Sequence, residues 1–184
     1  RGDLAVEIPK EEVPLAQKQI IRAAGNAGKI VITATQMLDS MTTQSTPTRA
    51  EVGDVANAIF DGTDAVMLSQ ESAMGVDPVH VVKTMASIAE RTEQSALYHN
   101  SVHRFSHVEG IVDTVSSAVA RSVELSRAVA IVALSESGFT PGMIARHKPI
   151  VPVLSLTPME STHRRLSLTY GVISHMIKPV EDMH

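Results

Sequence analysis

The chain has 184 residues, 43% hydrophobic and 20% charged, with a net charge of −4; that length holds one domain or parts of two, and the charge offers no general attraction to nucleic acid or an anionic membrane. Cysteine is absent, which excludes a disulfide framework, a thiolate zinc site and a thiol nucleophile. Aromatics are 3%, so any core is built from Val, Ile, Leu, Ala and Met, a composition that suits the buried strands of a parallel sheet.

Residues 1–4 read as the exit from a strand without an initiator Met, and the strand-like run 170–177 has little after it. Both ends therefore look cut, and the chain is expected to be a piece of a larger protein. Residues 10–27 have a helical period, with Val13, Ala16, Ile20 and Ala24 (or Ile21) on one stripe. Gly28 ends that helix, and the β-branched run 29–34 predicts a strand. A second helix is expected over 48–60, with Glu51 early, where the helix dipole favours a carboxylate. Asp61-Gly62 closes it, a strand follows over 63–68, and Pro78 opens a third helix over 79–92. This alternation implies βαβ units and a parallel sheet. Residues 98–107 are polar and without a period, as in a linker. Beyond them, helices over 111–126, 141–146 and 159–168 alternate with strands over 128–134, 150–156 and 171–177, a second α/β part with its own core. The longest apolar run, 128–134, is far short of a bilayer span. No basic and apolar leader is visible, so a soluble cytoplasmic protein is expected.

Three polar clusters fall just past expected strand ends: Gly2-Asp3, Thr35-Gln36 and Ser69-Gln70-Glu71-Ser72. In a (β/α) barrel the active site is built at that face from several strands. A carboxylate, a hydroxyl and backbone N–H groups suit a Mg2+-bound anion. The same residues also serve as helix caps, and spacing alone leaves both readings open. In the second half, Ser135-Glu136-Ser137-Gly138-Phe139-Thr140 lies between a strand and a helix. Hydroxyls and N–H groups there make either an anion site or an N-cap and turn.

Arg1-Gly2-Asp3-Leu4-Ala5-Val6-Glu7-Ile8-Pro9 resembles the segment that leaves the sixth barrel strand of pyruvate kinases. Ala34-Thr35-Gln36-Met37-Leu38-Asp39-Ser40-Met41 is similar to the seventh-strand signature of that family. Pro47-Thr48-Arg49-Ala50-Glu51, then Asp54-Val55-Ala56-Asn57-Ala58, resembles the next helix, and Asp61-Gly62-Thr63-Asp64-Ala65-Val66-Met67-Leu68-Ser69 the eighth strand. The resemblance covers 1–95 tightly and the rest more loosely. It implies an α/β fold: the C-terminal part of a (β/α)8 TIM barrel over 1–95, a linker over 96–108, and part of a small α/β C-terminal effector domain over 109–184.

The resemblance also implies transfer of the phosphoryl group of phosphoenolpyruvate to ADP, giving pyruvate and ATP in glycolysis, with Mg2+ and K+. Such transfer is mostly positioning and charge neutralisation, which suits these residue types. By the family pattern Asp3 is a metal ligand, and the N–H groups of Gly2 and Asp3 with the Thr35 hydroxyl hold the substrate carboxylate. Thr35 and Ser69, the latter as a proton relay at the same mouth, are the catalytic candidates. Ser135, Ser137, Gly138 and Thr140 are the candidates for an effector phosphate. Arg49 and Asp54 fall near the subunit interface of a homo-oligomer, a tetramer in the parent, or else on a solvated helix face. The family's catalytic Lys and second metal carboxylate are expected upstream of Arg1, so the chain alone is expected to be inactive.

Some residues depart from the pattern: Ala5 and Gln70 stand at usual glycines, Ser72 at a usual Thr and Asp77 at a common Tyr. A positive φ at Ala5 or Gln70 would cost on the order of 1 kcal/mol. Glu136, with no Lys or Arg inside its loop, favours a monophosphate effector over a bisphosphate. Arg1-Gly2-Asp3 opens an apolar stretch and is not read as an adhesion tripeptide, and residues 25–29 lack the spacing of a P-loop. His99, His103 and His107 recur at helical spacing but sit in the polar linker, and Met37, Met41, Met67, Met74 and Met85 are expected as core filler. The rival functions are a non-catalytic phosphometabolite-binding module and an assembly surface.

Overall fold

Strand β1 (Ile32–Ala34) lies parallel to β2 (Ala65–Met67), with Thr33 opposite Val66 and Ala34 opposite Met67. A parallel pair needs a crossover, and α3 (Arg49–Phe60) supplies it. This pair belongs to one of two compact units in the computed structural model, which describes residues 1–98 and 110–179. Ahead of β1 come α1 (Leu4–Glu7), a 3-10 turn (Lys10–Glu12) and α2 (Val13–Asn26); after β2 come α4 (Gln70–Ala73) and α5 (Pro78–Glu93).

Local chemistry accounts for these boundaries. Thr48 caps α3: its hydroxyl accepts from the Glu51 N–H at 3.3 Å while the Glu51 carboxylate accepts from the Thr48 N–H at 2.7 Å, a reciprocal capping box. Asp77 caps α5 by accepting from the His80 N–H at 3.0 Å, with Pro78 in the first turn. Asp77, one of the departures from the family pattern, thus has a structural use. Ala5 and Gln70 lie inside α1 and α4, and neither has a positive φ. No strain arises at those positions.

On α2 the expected stripe holds with its alternative member: Val13, Ala16 and Ala24 are half-buried and Ile21 is buried, while Ile20 is exposed. Met37, Met41 and Met85 are buried as expected, whereas Met67 and Met74 are exposed. Leu38, Val55, Ala58 and Val81 are also buried in this unit. The one-turn helices α1 and α4 were not expected, and β1 and β2 are shorter than the runs that announced them.

The second unit holds α6 (Gly110–Leu125), β3 (Ile131–Leu134), α7 (Phe139–Ala145), β4 (Val153–Thr157), α8 (Glu160–Leu166) and β5 (Val172–Met176). Its strands run parallel in the order β3-β4-β5, with Ile131, Val153 and Val172 in register. One face packs Ile131, Ala133 and Val153 against Val123 of α6 and Ile144 of α7. Successive strand residues point to opposite faces, so Val132, Leu134 and Ile173 form an exposed second face. Helix α7 begins at Phe139 rather than Pro141, which places Thr140 inside its first turn. The histidines His99, His103 and His107 lie outside the described residues.

Candidate functional site

The turn after β1 brings the first candidates together. Thr35 (φ 71°) and Gln36 (φ 51°) are both left-handed, a conformation uncommon for non-glycine residues and a marked outlier for a β-branched one. The turn is held from the chain start. The Gly2 N–H donates to Thr35 Oγ1 at 2.9 Å, and the Arg1 guanidinium donates to the Gln36 carbonyl and to Asp54 Oδ2, each at 3.0 Å. Asp3 follows Gly2 directly and is exposed, so its carboxylate is open to solvent beside this mouth. Ser69 sits past β2 at the same end of the parallel pair as Thr35 and is half-buried.

Two carboxylates fix the surrounding loops. Glu71 is 1% exposed; its Oε1 accepts from the Leu38 N–H at 3.2 Å and its Oε2 from the Ser69 N–H at 2.7 Å. Burial pushes its pKa up, but N–H donors from Glu71 itself, Ser69, Leu38 and Met37 outweigh burial and hold it below the usual carboxylate range. Glu51 likewise accepts from the Ser40 N–H at 2.7 Å and from its hydroxyl at 2.6 Å, besides the Thr48 bonds. Burial raises its pKa, and the Ser40 and Thr48 donors lower it further than burial lifts it.

Arg49 and Asp54 separate. Arg49 is exposed at the start of α3, whereas Asp54 is half-exposed and ion-paired to Arg1 within the chain.

In the second unit, the loop after β3 is already folded onto itself. Gly138 is left-handed (φ 74°) and its N–H donates to Ser135 Oγ at 2.9 Å; the Phe139 N–H donates to Ser137 Oγ at 3.3 Å. From α8, the Thr162 hydroxyl donates to the Glu136 carbonyl at 2.6 Å and the Arg165 guanidinium donates to the Ser137 carbonyl. Ser135, Ser137, Gly138 and Thr140 are thus neighbours around one turn, with an exposed cation beside them. The expectation that no cation serves the loop holds only within its own sequence.

Arg1 and Arg165 were given no role from sequence, and Glu71 appeared only as a member of the 69–72 cluster. The Arg1 and Arg165 partners lie 35 and 28 residues away, and the Leu38 N–H that Glu71 binds lies 33 away, beyond any local pattern. Glu51 was read only as a dipole partner, although Thr-x-x-Glu ahead of a helical run is a readable capping signal.

Among the described residues, no group of three or more His, Cys, Asp or Glu could hold a metal ion, and no helix is long and apolar enough to cross a membrane. Residues 1–82 match the family model described as "Pyruvate kinase, barrel domain", and residues 113–184 match "Pyruvate kinase, alpha/beta domain". Similar curated proteins include the pyruvate kinase of Geobacillus stearothermophilus, 53% identical over 175 residues (94% of this chain, 30% of that protein). The pyruvate kinase of Clostridium perfringens (strain 13 / Type A) is 45% identical over 178 residues (95% and 38%), and that of Bacillus licheniformis 50% over 177 (95% and 30%). The chain spans about a third of the length of these relatives, which run from 30% to 38% coverage.

Proposed function

The chain belongs to the pyruvate kinase family, and from that premise we propose that it supplies part of a site transferring the phosphoryl group of phosphoenolpyruvate to ADP, with pyruvate and ATP as products, in a glycolytic enzyme of the cytoplasm. The observation that carries this reading is the junction of Gly2, Asp3 and Thr35 at the end of β1. A threonine hydroxyl has one proton to donate and two lone pairs. Because Thr35 Oγ1 accepts from the Gly2 N–H, its own proton is left for an outside acceptor. The substrate carboxylate is that acceptor, with the Asp3 N–H as a second donor. Gly2 then acts by setting the direction of the hydroxyl. Ser69, at the same end of the strand pair, is placed to pass a proton to the product.

The donor set fits Mg2+ in one respect: this ion is held by one or two carboxylates together with substrate phosphate and water rather than by an all-protein cage, and Asp3 is a single exposed carboxylate. When bound, Mg2+ would neutralise charge between Asp3 and the transferring phosphate. K+ is proposed to sit with residues of the longer protein. Since Asp3 is the one exposed carboxylate at this mouth among the described residues, and the family's catalytic Lys and second metal carboxylate are expected in the longer protein, we expect the chain to be inactive alone.

The proposed division is a barrel part over 1–95, a linker over 96–108 and an effector-binding part over 109–184. Ser135, Ser137, Gly138 and Thr140 would take the phosphate of an activating metabolite. Arg165, whose guanidinium donates to the Ser137 carbonyl, supplies positive charge that the loop sequence lacks and removes the electrostatic ground for preferring a monophosphate. Arg49, exposed at the start of α3, faces another subunit of a tetramer in this reading; Asp54 anchors Arg1 and reaches the interface only through α3. The deciding experiment is a pyruvate-formation assay. The full-length protein carrying this sequence should show Mg2+-dependent turnover of phosphoenolpyruvate and ADP, and the isolated chain none. A full-length protein that is folded and inactive would overturn the reading.

A further inference from the structure

We propose that Glu71 is a positioning residue whose buried carboxylate locks the turn carrying Thr35 to the turn carrying Ser69. The proposal rests on the reading of Gly2, Asp3 and Thr35 as the substrate grip. Its two oxygens are divided between the two turns: Oε1 holds the Leu38 N–H, three residues past Thr35, and Oε2 holds the Ser69 N–H. Both turns follow strands of one parallel pair, so the carboxylate spans the mouth at which the candidates gather. The clamp is tight on its own side as well. Gly75 lets the chain fold back over α4, where a Cβ would lie 2.1 Å from the Glu71 carbonyl oxygen.

The turn needs such a clamp. Two successive left-handed non-glycine residues, Thr35 and Gln36, persist only where the surroundings over-determine them. Arg1 holds the carbonyl of Gln36 from one side, and Glu71 holds the next amides from the other. With N–H donors outweighing the effect of burial, the Glu71 carboxyl stays ionised across the neutral range. Charge-assisted bonds of this kind are stronger than neutral ones, and an ionised clamp neither gives nor takes a proton during turnover.

The test is Glu71→Gln in the full-length protein, with Asp3→Ala beside it. An amide can accept at one oxygen only, so one of the two turns is released. We expect the KM for phosphoenolpyruvate to rise and kcat to fall, roughly ten- to hundredfold together, as for a small misplacement near the chemistry, with the KM for ADP unchanged. The pH profile should keep its shape across the neutral range, because the carboxyl removed stays ionised throughout it. A merely structural role would lower the active fraction and leave both KM values alone, and that result overturns the proposal. Loss of one limb of the pH profile would make Glu71 a proton carrier and also overturn it. Should Asp3→Ala abolish turnover while Glu71→Gln is indistinguishable from the parent, the clamp fails and the substrate grip stands. Should Asp3→Ala be without effect, the grip itself fails and the proposal falls with it. If Glu71→Gln does not fold, hydrogen exchange on the unsubstituted protein decides: the Leu38 and Ser69 amides should be as protected as those of β1 and β2, and fast exchange at either contradicts the clamp.

Discussion

Replacing Gly138 by alanine tests the loop after β3 at its most constrained point. Gly138 has φ 74°, and a left-handed residue with a Cβ costs about 1–2 kcal/mol. The added Cβ would also lie 3.1 Å from Thr162 Cγ2, 3.2 Å from Leu166 Cδ2 and 3.2 Å from an Arg165 guanidinium nitrogen. Arg165 is exposed and can swing away, but Thr162 and Leu166 are buried in α8 and must shift by tenths of an ångström. The two effects together come to about 2 kcal/mol or more. Gly142→Ala is the matched control. That glycine is inside α7 with nothing within 4 Å of its added Cβ, and alanine in a helix interior stabilises by roughly 0.5–1 kcal/mol. Urea unfolding followed by circular dichroism should therefore move the two variants in opposite directions. In the full-length protein, activation by a phosphorylated metabolite should be weakened by Gly138→Ala and kept by Gly142→Ala. Equal stability of the two variants would refute the strain argument, and undiminished activation in Gly138→Ala would refute the loop assignment.

His147 should make the second unit sensitive to mild acid. It lies at the end of α7 with Nε2 at 2.8 Å from Asp113 Oδ1, while Arg146 lies 3.4 Å from Asp113 Oδ2. Burial pulls its pKa below the usual value, the bond and charge of Asp113 pull it up, and Arg146 and Arg121 pull it down again; the lowering wins. The unfolded chain then takes up a proton that the folded chain refuses, so stability falls as pH drops below about 6.5. Unfolding of the second unit should need less urea at about pH 5.5 than at about pH 7.5, and an opposite trend would contradict the assigned shift. At the effector loop, Ser137→Ala combined with Thr140→Ala should abolish activation of the full-length protein by a phosphorylated metabolite while leaving unactivated turnover in place. Full activation of the double variant would show that these hydroxyls do not hold the phosphate.

Regular elements were legible because their signals are local. Periodicity placed α2, α3, α5 and α6, and the parallel arrangement followed from their alternation with β-branched runs. Helices α1 and α4 were illegible because one turn has no period to detect. Ile20 and Ile21 are adjacent, and only packing against the rest of the unit decides which of them is buried. At the candidate site, hydroxyls and carboxylates next to strand ends stood out by type, whereas the strain at Thr35 and Gln36 did not: neither residue favours positive φ on its own. Strain was considered at Ala5 and Gln70 only if those positions needed a positive φ, and helical backbone there removes the need. Arg165 acts on the Ser137 carbonyl and Glu71 on the Leu38 N–H, both remote in sequence, and such partners carry no residue-type signature.

The central claim is that Asp3 is the metal-binding carboxylate of a phosphoryl-transfer site whose neutral donor is Thr35. Steady-state pyruvate formation by the full-length protein, titrated with Mg2+, tests it directly for Asp3→Ala and Thr35→Ala. Loss of a charged metal ligand removes both the position of the ion and its charge stabilisation, so Asp3→Ala should cut turnover by orders of magnitude and raise the Mg2+ requirement. Thr35→Ala removes one neutral donor and should cost roughly 10- to 1000-fold, chiefly at the phosphoenolpyruvate step. Turnover of Asp3→Ala within a few-fold of the parent, at an unchanged Mg2+ requirement, would contradict the account.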